Sequence, residues 1–140
     1  IARRFGISTS TLLVANQNRP GISPDVIYPG YQLIIPIPSS NNIVAFQPLP
    51  GTRIQNGQTL QGFARAFEGV ILYRLIDKNE RTIIKESPIQ TAAGAPSYGA
   101  FSASIRFSNQ PTAKTGELWV YTRSPRDGSI EDLVTIPVQF

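Results

Sequence analysis

The sequence predicts a mainly β chain, a seven-stranded antiparallel sandwich preceded by a short region of helical character. Three observations carry this reading. Seven runs of strand character follow one another between Asn42 and Phe140 with no helical stretch among them. Turn-forming clusters separate these runs, and the chain holds 12 prolines and 11 glycines, as many short strands require. Before residue 36 the apolar spacing is helical instead, and the composition changes over PIPSSNN, residues 36–42. Prolines and small polar residues there read as a short, semi-rigid linker. The predicted division is therefore 1–36, a linker at 37–42, and 43–140.

The first region reads as two short helices and one strand. Ile1–Phe5 is helical up to Gly6, a common C-terminal stop. Ser8 or Thr9 can cap a second helix, with Leu12, Leu13 and Ala15 facing inward. Asn16–Pro24 is a loop and Leu33–Ile35 a short strand.

The seven runs of the second region are Ile43–Gln47, Gln58–Phe67, Val70–Asp77, Thr82–Gln90, Ala100–Phe107, Glu117–Arg123 and Asp132–Phe140. PLPG, NG, EG, DKNE, AGAPSYG, TAKTG and RDGS punctuate them. In the third run Ile71, Tyr73 and Leu75 share one face, and Leu72 and Ile76 flank Arg74 on the other. Two partly apolar faces predict a central strand. Pro137 removes a ladder donor from the last run and predicts an edge or a bulge there.

Composition narrows the chemistry. Hydrophobic residues make up 41% of 140, enough for a packed core. The net charge of +4 comes from basic residues scattered singly, apart from Arg3-Arg4. No basic stripe tracks a nucleic-acid backbone, so no nucleic-acid partner is expected. No apolar run approaches the ~18 residues of a membrane span. With neither Cys nor His, thiol chemistry, the commonest zinc ligands and the commonest general base are missing. No SxxK or GxSxG block supplies another activated nucleophile, and Lys85-Glu86-Ser87 is too compact for a dyad. Glu131 and Asp132 are adjacent and so point to opposite faces of a regular strand. The expectation is a non-enzyme with no cofactor and no metal.

Four blocks, IARRFG, LLVAN, DVIYPG and LIIP, follow one another in the order and spacing of the LysM module. Residues 1–36 resemble the C-terminal half of that βααβ unit. The resemblance implies binding of peptidoglycan or chitin-like glycan rich in N-acetylglucosamine. It implies sugar contact by the loop Pro24, Asp25, Val26, Ile27, Tyr28, Pro29 and Gly30. It also implies that the first strand lies upstream of Ile1, so that the chain is a fragment. Tyr31 then Gln32 stand where the family places Gln after the glycine. The lone strand Leu33–Ile35 would fray, rest on the second region, or pair with another chain to give a homodimer.

QPLPGTRI, LQGFARAFEGVILYRLID, TAAGAPSYGAFSASIRF and LWVYTRSPRDGSIEDLVTIPVQF carry a second resemblance. They are similar to the immunoglobulin-like (Gmad-type) domain associated with bacterial spore germination. This implies an immunoglobulin-like sandwich, germination proteins as partners, and a wall or spore-envelope location in a Gram-positive cell. The two resemblances together imply a wall-associated glycan binder with an immunoglobulin-like spacer. The alternative is a protein–protein module of a germination or wall-hydrolase assembly without sugar binding.

Strand parity adds candidate sites. Loops after the second, fourth and sixth strands fall at one end and would gather Glu68, Tyr98, Arg126 and Asp127. They form either an interaction surface or a set of loops fastened by Arg126 or a backbone donor on Glu68. Asp127-Gly128 reads as a tight turn. Trp119 and Tyr121 share one strand face, as a stacking platform for sugar rings, as a protein interface, or as a covered surface.

Overall fold

The chain divides between Pro36 and Ile37, and the computed structural model describes residues 38–140 of the second unit. The helices, strand and glycan loop expected in residues 1–36 lie outside the described residues.

Seven strands form two antiparallel sheets: β1 (Ile43–Gln47), β2 (Gln58–Ala64), β3 (Val70–Asp77), β4 (Thr82–Gln90), β5 (Gly99–Ile105), β6 (Thr115–Arg123) and β7 (Ile130–Gln139). Three strands in the order β1-β2-β5 face four in the order β4-β3-β6-β7. The chain therefore crosses between sheets after β2, β4 and β5, as an immunoglobulin-like sandwich does.

Period-two alternation builds the core. Ile43, Leu60, Phe101 and Ile105 face inward from the first sheet, and Ile71, Leu75, Leu118, Val120 and Ile136 from the second. All are buried. β3 lies between β4 and β6 as its two partly apolar faces require, and Leu72, Arg74 and Ile76 on its outer side are half-buried. β7 is an edge, with Pro137 opposite Glu117.

Two local departures from the sequence reading have physical causes. The second run ends at Ala64, and the chain turns through a 3-10 segment at Phe67–Gly69. Glu68 and Gly69 both take left-handed φ there, 54° and 68°, which no strand accommodates. In β7 the register shifts near Asp132, whose φ is 55°. This bulge breaks the alternation, so Glu131 and Asp132 line one cleft instead of opposite faces.

The segment before β1 belongs structurally to the sandwich. Ser39 bridges Val44, and Ser40 Oγ donates to the Asp132 carbonyl at 2.7 Å. Tyr98 Oη donates to the Asn41 carbonyl at 3.0 Å. The Asn42 amide donates to Asp132 Oδ2 and accepts from Arg65 Nε and Nη2.

Candidate binding surfaces

The loops after β2, β4 and β6 meet at one end of the sandwich. They border a cleft of about 440 Å³ whose lining includes Arg65, Glu68, Ala95, Arg123, Pro125 and Asp132. Phe67 stands at this end, 68% exposed, on a turn that is firmly braced. The Gly69 carbonyl accepts from Thr91 N, Thr91 Oγ1 and Gln90 Nε2, and Ala95 N donates to the Ala66 carbonyl. A Cβ on Gly69 would meet Gln90 Nε2 at 2.9 Å and Thr91 Oγ1 at 3.0 Å, and its left-handed φ of 68° favours glycine.

The parity-predicted residues take different places. Glu68 lines the cleft. Tyr98 points elsewhere, under the Arg65 guanidinium 5.1 Å from its ring centroid. Arg126 and Asp127 shape the β6–β7 turn. Asp127 Oδ1 accepts from Ser129 N and Oγ, and these bonds hold its carboxyl below the usual range. Arg126 makes no ion pair with Glu68; the single ion pair among the described residues joins Arg123 and Glu86. Gln90 and Thr91 fasten the Glu68 turn in its place. Arg65, Arg123, Asn42 and Asp132 were not anticipated at the cleft. The register that sets Arg65 beside Asn42 is invisible without the β1–β2 pairing, and Arg123 and Asp132 arrive from β6 and β7.

Trp119 and Tyr121 share the outer face of the four-stranded sheet, but neither offers a free ring. The Arg74 guanidinium covers Trp119 at 4.4 Å from its centroid, and Trp119 Nε1 is buried without a hydrogen-bond partner among the described residues. Tyr121 is fully buried. Its hydroxyl donates to Glu86 Oε1 at 2.5 Å, and Arg123 Nε donates to the same oxygen at 2.8 Å. The Tyr121 bond and then Arg123 hold the Glu86 carboxyl down against desolvation. Burial and the Glu86 bond push the Tyr121 hydroxyl up to about 12. This arrangement clamps β4 to β6, with Arg74 over the half-buried Trp119 ring.

At the other end, Asp77 is buried and accepts from Asn79 N, Arg81 N, Thr112 N and Thr112 Oγ1. Burial alone would raise its carboxyl, yet these four bonds hold it at about 2. Its role is to tie the β3–β4 turn to the β5–β6 loop.

A three-on-four sandwich with these crossings matches what a family comparison finds: residues 42–129 match the immunoglobulin-like domain of bacterial spore germination. The chain belongs to that family. Residues 1–36 match the LysM domain. The first match stops before β7, which nonetheless completes the second sheet. Neither the curated proteins nor the solved structures gave a match. LysM points to glycan binding and the sandwich family to spore germination. No helix among the described residues is long and apolar enough to cross a membrane.

Proposed function

We propose that the protein is a non-catalytic component of the extracytoplasmic wall or spore envelope of a Gram-positive bacterium. Residues 1–36 bind the N-acetylglucosamine-containing strands of peptidoglycan, and residues 43–140, joined by the bonded segment Ser39–Asn42, are an immunoglobulin-like spacer that also meets protein partners. The observation that carries this reading is the pairing of a LysM match with a germination-associated sandwich in one short chain. Sugar contact falls to the loop Pro24–Gly30, through backbone donors and acceptors and the apolar side chains of Val26, Ile27 and Tyr28. Titrating the protein with soluble N-acetylglucosamine oligomers tests this assignment. Saturable heat that falls when Ile27 and Tyr28 are replaced by Ala supports it; binding unchanged by those replacements would defeat it.

A second reading, a protein-binding module with no sugar affinity, is favoured by the loop-end cleft. Phe67 and Val70 are exposed beside it, and a rigidly held apolar side chain at a cleft suits a protein contact. Recovery of a complex from spore extract that ignores free oligomers and depends on Phe67 would support this reading.

A further inference from the structure

The outer face of the three-stranded sheet has a chemistry of its own. Alternation sends Phe46 out of β1, Gln61 and Phe63 out of β2, and Ser102 out of β5. Gln61 stands opposite Ser102 and Phe63 opposite Ala100. The rings of Phe46 and Phe63 meet edge to face with centroids 5.4 Å apart, and Phe63 remains 45% exposed. A shallow depression of about 330 Å³ lies beside them.

The face continues past these rings. Arg65 and Tyr98 extend β2 and β5 in the same register, and Tyr98 is also about half exposed. At the far end Arg106 follows Ile105 with outward parity and is exposed. No outward position along this sheet, from Val44 through Arg106, carries a carboxylate. The face is therefore neutral at its centre, aromatic along one side, and cationic at both ends.

That combination selects a ligand class. Aromatic rings accept the C–H faces of pyranoses, and amides and hydroxyls such as Gln61 and Ser102 pair with sugar hydroxyls. Guanidinium groups favour carboxylates, and Arg106 has no acidic outward neighbour on this sheet, whereas Arg65 is shared with Asn42 at the edge of the cleft that Glu68 and Asp132 also line. Two cations at opposite ends do not make the continuous track that a phosphate backbone needs. We propose that this face is a second glycan-binding surface, which takes a carboxylate-bearing polysaccharide strand. The assignment stands on the sheet itself and is independent of sugar contact by residues 1–36.

A residue-resolved amide NMR titration of the 140-residue chain tests it, with soluble muramic-acid-containing glycan fragments as probe and a single-stranded oligonucleotide as control. The expected result is shifts at Gln61–Phe63 and Ala100–Ser102 with the glycan and none there with the oligonucleotide. Phe63→Ser should weaken the interaction about tenfold, the scale of one to two aromatic contacts. Ser102→Glu changes one small exposed side chain, keeps both rings, and should weaken it comparably; each variant's own spectrum reports that it is folded. Shifts confined to residues 1–36 would overturn this surface while leaving the proposed function intact. No shifts anywhere would overturn both. A response to the oligonucleotide alone, or unchanged affinity in Ser102→Glu, would overturn the glycan assignment.

Discussion

Glu86 accepts two hydrogen bonds on one oxygen, from Tyr121 and from Arg123, and this small cluster ties β4 to β6 across the outer side of β3. Its ionisation has a defined sign. The Tyr121 hydroxyl titrates at about 12, above its ordinary value of 10.0. The stability it contributes is thus complete below about pH 10 and is lost as pH rises toward 12. Ultraviolet titration should show one tyrosine ionising last, near the top of that window, and Tyr121→Phe should remove that phase. If every tyrosine ionised together near pH 10, the Glu86 contact would be wrong. Asp77 behaves oppositely. Its carboxyl is held at about 2, against an ordinary 3.8, so its contribution is present above about pH 4 and is lost as pH falls through 2. Asp77→Asn should flatten the acid limb of a stability–pH curve between pH 2 and 4; an unchanged limb would contradict this role.

At the scale of elements, the turns and bulges decide what meets at the cleft. Glu68 occupies left-handed φ without being glycine, so Glu68→Gly should leave stability unchanged or raise it by up to about 1 kcal/mol. Gly69→Ala meets both the φ requirement and Gln90, and should cost more than about 1 kcal/mol in urea denaturation. The segment Ser39–Asn42 reads in the sequence as a linker because its residues are small and polar. Those same residues are hydrogen-bonding groups, and once β1, β2 and β7 are in place they find Arg65, Tyr98 and Asp132. Asn42→Ala should therefore destabilise the sandwich by about 0.5–1.5 kcal/mol, whereas substitution in a free linker would do nothing. Strand positions were legible because alternation and turn clusters are local signals. The bulge at Asp132 was not, since it depends on which strand β7 pairs with. For the same reason parity could not show that Glu68 lines the cleft while Tyr98 turns toward Arg65. Trp119 and Tyr121 looked free because alternation gives a side chain's direction and not what covers it, here Arg74 and Glu86.

Across the whole molecule, sequence and architecture divide the labour. The sandwich offers a braced scaffold that holds its loops in place. Its core is continuous between the two sheets, and Leu60→Ala, at a fully buried position, should cost about 2–5 kcal/mol. The wall assignment rests instead on residues 1–36, whose IARRFG, LLVAN, DVIYPG and LIIP blocks were legible in the sequence and which match the LysM domain. The most direct test of that claim is co-sedimentation of the protein, carrying residues 1–140 and whatever sequence flanks them, with insoluble peptidoglycan at low and moderate salt. The account predicts that the protein pellets with the wall polymer at both salts and is released by N-acetylglucosamine oligomers. Protein that stays in the supernatant at both salts would contradict it.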